Sequence, residues 1–155
     1  MELNWYIFKW GELNAQDLYD LLALRSAVFV VEQNCPYQDL DGKDQKSDHI
    51  FARDKDGELI ACARIVYPGI SYSEWSIGRV ATAMKVRGSG TGKLLMEQCM
   101  NYLIQECDAG GIRISAQEYL LKFYEGFGFE QVSESYLEDD IPHVEMLYIH
   151  SKLQL

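Results

Sequence analysis

Arg87-Gly88-Ser89-Gly90-Thr91-Gly92-Lys93 is the stretch on which the fold of this chain turns. Glycines at alternate positions let a backbone turn tightly and leave no Cβ atoms between its amides and a ligand. Successive N–H groups then converge on an anion, and the positive end of a following helix adds to the attraction. Arg87 and Lys93 flank the nest with full charges. The pattern predicts binding of a phosphate or pyrophosphate; a plain strand-to-helix loop is the blander reading. Two familiar phosphate loops fail against it. In the P-loop order G-x-x-x-x-G-K-[ST], Gly88 and Gly92 stand too close, and Leu94 replaces the hydroxyl that holds magnesium. In the dinucleotide order G-x-G-x-x-G, the last glycine comes too early.

Outward from the loop, hydrophobic periodicity supplies the rest of the chain. A strand from about Trp75 to Thr82 leads in, after a Pro68-Gly69 turn. A helix leads out to about Cys107, with Met96, Met100, Leu103 and Cys107 on one stripe, until Gly110-Gly111 breaks it. Ile112 to Ala116 reads as a short strand and Glu118 to Phe127 as a helix stopped at Gly128. Two last strands fall near Phe129 to Tyr136 and His143 to His150. Upstream, Leu3 to Trp10 alternates weakly as a strand, and Asn14 caps a helix with Asp17 in its acidic first turn. The apolar stripe of that helix is Leu18, Leu21, Leu22, Val28 and Phe29. Pro36 stops it, and a polar loop runs from Tyr37 to Ser47. His49 to Arg53 and Leu59 to Tyr67 form a hairpin about Lys55-Asp56-Gly57. The order is β-α-β-β-β-α-β-α-β-β, a mixed α/β fold.

At 155 residues the chain is expected to form a single domain, spanning residues 1–155. Its 48% hydrophobic and 25% charged residues exclude a disordered chain. A net charge of −10 argues against nucleic acid and anionic membranes as partners, since both need a basic footprint. Cationic small molecules or basic peptides would be steered inward; plain solubility is the alternative meaning of the charge. Met1 to Trp10 lacks a signal-peptide pattern, and no apolar run approaches the roughly 20 residues of a membrane span. Cys35, Cys62, Cys99 and Cys107 therefore read as reduced thiols of a cytoplasmic protein. Their spacing matches no zinc pattern, and no metal is expected. Asp39-Leu40-Asp41-Gly42-Lys43-Asp44 misplaces the glycine of a calcium loop and lacks its closing glutamate. Asp39, Asp41, Asp44 and Asp48 either attract a cationic acceptor or form a solvated loop.

Three blocks together resemble a known superfamily. Arg87, Gly90 and Gly92 occupy the fixed positions of [Q/R]-x-x-G-x-[G/A], the acetyl-CoA loop of the GCN5-related N-acetyltransferases, or GNAT enzymes. Ile77-Gly78-Arg79-Val80-Ala81-Thr82 looks like their fourth strand. Ala116-Gln117 and Phe123-Tyr124-Glu125-Gly126-Phe127-Gly128-Phe129 are similar to their later motif. Leu24 to Gln33, Cys35-Pro36-Tyr37-Gln38-Asp39 and Asp140-Ile141-Pro142-His143 with Met146 narrow the resemblance to the ElaA-type members, a subfamily whose acceptor is undefined.

The resemblance implies strands four and five splayed apart, with the pantetheine arm of acetyl-CoA pairing to Val80, Ala81 and Thr82 as an added strand. It places the pyrophosphate on the amides of Gly88, Ser89, Gly90, Thr91 and Gly92, between Arg87 and Lys93. An amine, small or on a basic peptide, would attack the thioester directly, and a strand-four amide would hold the oxyanion. Tyr124 would donate its proton, or at least a hydrogen bond, to the leaving thiolate; phenol and thiol differ by only about 1.5 pKa units, roughly 10 against 8.5. A core aromatic beside Phe123 and Phe127 is its other reading. The base stays open. Family members carry a glutamate on the fourth strand, where this chain has only Glu74 at the edge. Arg25 and Glu32 fall on the apolar face of the first helix, so they either pair elsewhere or line the acceptor pocket. His143 titrates in a useful range but could be a satisfied surface histidine. His49 and His150 have no partner that the sequence reveals. A homodimer is left open, and the competing function is a CoA-binding module without turnover.

Overall fold

The computed structural model describes residues 2–150. Strands β1 (Asn4–Lys9), β2 (Ser47–Arg53), β3 (Leu59–Val66) and β4 (Ser76–Thr82) form one antiparallel sheet in that order. Every residue of β3 is buried, as a central strand covered on both faces requires. The second sheet holds β5 (Gly111–Gln117), β6 (Glu130–Gln131), β7 (Tyr136–Glu138) and β8 (Ile141–Ile149). In it β8 pairs with each of the other three. The expected order of elements is present, with the sixth strand realised as the two short pieces β6 and β7.

The helices explain their own starts. Asn14 accepts a hydrogen bond from the Asp17 amide at 2.7 Å and opens α1 (Ala15–Arg25), as the sequence predicts. Past Arg25 the chain widens into a π-helical segment, Ser26–Glu32. Asp17, Leu21, Leu24, Arg25 and Val28 are the buried positions, while Leu18, Leu22 and Phe29 of the expected stripe stay half-exposed. Helix α2 (Thr91–Asn101) also continues as a π-helical segment, Tyr102–Glu106, and buries Met96, Met100 and Leu103 as its stripe foretells. The helix expected over Glu118 to Phe127 is shorter: a 3-10 turn, Glu118–Leu120, then α3 (Leu121–Glu125).

Strands β4 and β5 run parallel but touch only at one end. Trp75 bridges Ile112, and the Arg113 amide donates to the Trp75 carbonyl at 2.9 Å. Arg113 closes that end by pairing both Nε and Nη2 with Glu74, at 3.0 and 2.9 Å. The lone carboxylate at the edge of the fourth strand thus joins the sheets. Beyond this junction the strands part, and the core of Ile60, Ile65, Leu95, Leu103 and Ile112 packs beneath the gap.

Candidate active site

The parted strands enclose a cleft of about 370 Å³. One wall is β4 from Ile77 to Thr82, and the other is Ile114, Ser115 and Gln117 of β5. Arg87 and Gly92 stand at one end, Tyr124 is between, and Glu138 and His143 are also on its lining. No helix among the described residues is long and apolar enough to cross a membrane.

The glycine loop has the shape its spacing predicts. Gly88 and Gly90 adopt φ values of +83° and +86°, where an L side chain is strained, and a Cβ on either would meet nothing within 4 Å. The first helical bond of α2 runs from the Leu94 amide to the Gly90 carbonyl at 3.1 Å. The amides of Thr91, Gly92 and Lys93 precede it and belong to the unpaired first turn. Ser89 turns its hydroxyl away, donating to the Val86 carbonyl and meeting the Thr91 hydroxyl at 2.9 Å. An open cradle of backbone donors suits a pyrophosphate. Arg87 flanks it but is engaged: Nη1 lies 2.5 Å from Glu32 Oε2, and Nη2 donates to the Thr82 carbonyl at 2.9 Å. Glu32 is therefore an ion-pair partner across the cleft mouth.

Strand β4 carries a feature that periodicity does not reveal. Gly78 faces Arg64 and Ala81 faces Cys62, so Arg79 and Val80 together oppose the single residue Ala63. This is a β-bulge, and Arg79 sits in it at φ +48°. Val80, Ala81 and Thr82 follow along the cleft, with Ala81 buried and the other two half-exposed.

Tyr124 is 7% exposed, with its ring edge-on to Phe123 and Phe129. Its hydroxyl has no hydrogen-bond partner among the described residues. Burial, followed by the nearby Cys99 and Tyr119, pushes the phenol well above its ordinary range, so it holds its proton. The near match of phenol and thiol expected from free side chains therefore does not hold for this buried phenol. His143 is buried, and its Nδ1 lies 2.7 Å from the Ile141 carbonyl oxygen. That contact calls for an Nδ1–H, which leaves Nε2 as the acceptor in the neutral ring. Nε2 is 3.4 Å from Glu138 Oε2.

The acidic loop departs most from expectation. It neither stays solvated nor faces an incoming cation, because its carboxylates turn inward onto three arginines. Arg25 meets Asp39 at 2.9 Å and Asp44 at 2.7 Å; Arg64 meets Asp41 at 2.5 Å and Asp44 at 3.0 Å. Arg79 Nε lies 2.8 Å from Asp39 Oδ1, with its N–H off the line, so that contact is ionic rather than a directed hydrogen bond. Burial opposes the charge on Asp41, but the hydrogen bonds of Arg64 and the Lys43 amide, with the charge of Arg79, outweigh it. Its carboxyl sits well below the usual range, and Asp44 is lowered by Arg25 and Arg64 in the same way. Asp48 is likewise occupied, by the hydroxyls of Tyr67 and Tyr102 at 2.8 and 2.6 Å. His49, whose Nε2 is 2.9 Å from the Asp44 carbonyl oxygen, is kept neutral chiefly by burial. His150 donates its amide to the Gly110 carbonyl at 2.9 Å. The signal for this network was Arg64, a charge inside the otherwise apolar run Leu59–Val66.

Comparison with known proteins agrees with this geometry. The model of the acetyltransferase (GNAT) domain matches residues 15–149. The ElaA protein of Escherichia coli is 42% identical over 146 residues, 93% of this chain and 95% of that one. A UPF0039 protein of Synechocystis is 39% identical over 148 residues, 96% of each chain. An acyl-CoA N-acyltransferase structure from Pseudomonas aeruginosa superposes with a TM-score of 0.89 at 40% identity, over 95% of this chain and 99% of that one. The Escherichia coli ElaA structure gives 0.86 at 40%, with the same coverage. The splayed strands, the glycine cradle and these likenesses converge: the chain belongs to the GNAT family of acetyltransferases, close to its ElaA-type members.

Proposed function

We propose that this enzyme moves an acetyl group from acetyl-CoA to a primary amine, small or carried on a basic peptide, by direct attack in the cleft. The observation that carries the reading is one cleft lined by Arg87 and Gly92 of the glycine loop, a protonated Tyr124 and an Nε2-accepting His143. The amides of residues 88–92 hold the pyrophosphate, with Arg87 and Lys93 beside it, and the backbone of Val80, Ala81 and Thr82 takes the pantetheine arm as an added strand.

In this mechanism His143 Nε2 removes the proton from the amine, whose lone pair forms the new C–N bond. Glu138 lies close enough to balance the imidazolium. As the C–S bond breaks, the Tyr124 hydroxyl donates a hydrogen bond to the departing thiolate, and the proton taken up by His143 reaches the thiolate through solvent. The family's glutamate base is thereby replaced, since Glu74 is spent on Arg113 and Glu32 on Arg87. Glu138 and Asp139 line the cleft without a Lys or Arg partner among the described residues and can draw a cationic amine toward His143, and the net charge of −10 favours the same approach.

Thiol release from acetyl-CoA, measured across a panel of amines and basic peptides, tests the reading. Release that depends on the acceptor supports it. Saturable acetyl-CoA binding with release no faster than background would make the protein a CoA-binding module instead.

A further inference from the structure

We infer that Arg79 is a positioning residue: its ion pairs with Asp39 and Asp41 hold the β4 bulge in shape and so set the backbone that faces the thioester. The inference rests on the acetyltransferase reading of the cleft. It begins with strain. Arg79 is neither glycine nor asparagine, yet it holds φ +48° in the middle of a strand. Such a conformation persists only where the surroundings offset its cost.

The surroundings are specific. Arg79 Nε lies 2.8 Å from Asp39 Oδ1, and Nη2 donates to the Asp39 carbonyl at 3.1 Å and lies 3.4 Å from Asp41 Oδ2. The guanidinium also stands over the Tyr37 ring at 5.6 Å, and the Tyr37 hydroxyl donates to Asp39 Oδ1 at 2.8 Å. Asp39 and Asp41 are themselves fixed from behind, by Arg25 and by Arg64. Arg64 is the register partner of Gly78, immediately beside the bulge, and a Cβ on Gly78 would come within 3.7 Å of its Nε. One clamp therefore joins α1, β3, the acidic loop and the bulge.

The consequence falls on main-chain atoms. A bulge interrupts the ladder and leaves backbone groups of the bulged strand unpaired toward one side. Here the bulged residues Arg79 and Val80 both line the cleft. Tyr37 and Cys35 of the clamped loop line it as well, so the same contacts set the cofactor strand and part of the wall facing it. Without the clamp nothing holds Arg79 in its positive-φ conformation, so the bulged segment samples other conformations and those groups lose their fixed orientation. Misplacement by about 1 Å costs on the order of a hundredfold in rate where chemistry depends on near-attack geometry.

The test uses Arg79→Gly, which tolerates the positive φ but lacks the clamp, with Asp39→Asn and Arg79→Lys as milder variants and Arg53→Lys as a distant control. Acetyl-CoA affinity, kcat, acceptor KM and hydrogen exchange at the Val80 amide are measured on the full chain. The expected result is a kcat loss of about tenfold or more in Arg79→Gly, larger than the accompanying loss of acetyl-CoA affinity, because the glycine loop is untouched while the Val80 backbone that takes the pantetheine arm is loosened. Asp39→Asn moves the same way by less, Arg79→Lys recovers part of the loss, and Val80 exchange quickens in both clamp variants but not in the control. Clamp variants that keep kcat and Val80 exchange within about twofold overturn the inference. Should Arg79→Gly not fold, Asp39→Asn and Arg79→Lys decide by the same criteria. If the wild-type chain turns over no acceptor, the acetyltransferase reading has failed instead. Val80 exchange then decides the clamp alone, unchanged exchange in the variants overturning it.

Discussion

At the scale of single residues, the proposed mechanism assigns some groups a role through a proton and others a role through position. Tyr124 belongs to the first. Its ring is packed by Phe123 and Phe129 whether or not the hydroxyl is present, so Tyr124→Phe removes one O–H from an otherwise intact pocket. The expected outcome is a fall in kcat of about 10²-fold with acetyl-CoA affinity unchanged, read by steady-state kinetics beside calorimetry. An unchanged kcat would remove the leaving-group role. Gly90 belongs to the second. At φ +86° a valine is strained, and its branched side chain fills the cradle that a Cβ finds open. Gly90→Val is expected to weaken acetyl-CoA binding by about tenfold or more, and normal affinity would place the pyrophosphate elsewhere. The positive φ of Gly90 was legible in the sequence because a backbone torsion is local. The engagement of Glu32 was not legible, since its partner Arg87 lies fifty-five residues away on another element.

Elements were legible where their signals are local and illegible where a neighbour changes the geometry. The Asn14 cap is the clear case. Its side chain satisfies the Asp17 amide at 2.7 Å, and Asn14→Ala is expected to cost about 1 kcal/mol of stability while acetyl-CoA affinity stays as it was. A denaturant midpoint measured with and without the cofactor checks both halves. The face a helix turns to the core is less local: Leu21, Leu24 and Val28 pack against Phe51, Leu59 and Cys62, while Leu18, Leu22 and Phe29 of the expected stripe stay half-exposed, because the surface opposite selects the face. Arg25 is nonetheless buried, because the acidic loop supplies its counter-charges rather than because the stripe holds water. The bulge in β4 escaped for a related reason. Nothing in Gly78-Arg79-Val80 marks an inserted residue, and only pairing with β3 and the aspartates opposite fix it.

For the molecule as a whole, the charge balance has internal structure. Acidic residues dominate, yet several of them are committed to arginines, and that commitment predicts a response to acid. The Arg113 hydrogen bonds hold Glu74 at about 2, below its ordinary 4.5, and Asp41 and Asp44 are depressed despite burial. Carboxylates with lowered folded-state pKa values contribute stability that is present above about pH 4 and is lost as pH falls through the folded values. The melting midpoint is therefore expected to hold steady from about pH 7 to 5 and to drop steeply below about 4. Asp41→Asn should flatten that drop while lowering the midpoint at neutral pH, and a midpoint insensitive to acid in the parent chain would show that these pairs add nothing. The sequence by itself determined the order of strands and helices, the tight turn of the glycine loop and the family, because torsions, periodicity and glycine placement act over a few residues. Only the tertiary structure decided which charges meet: a buried ion takes its partner from whatever element packs against it, and sequence distance says nothing about that. Hence the acidic loop that reads as solvent-facing is the counter-charge to three arginines, and the carboxylates that read as bases are already spoken for.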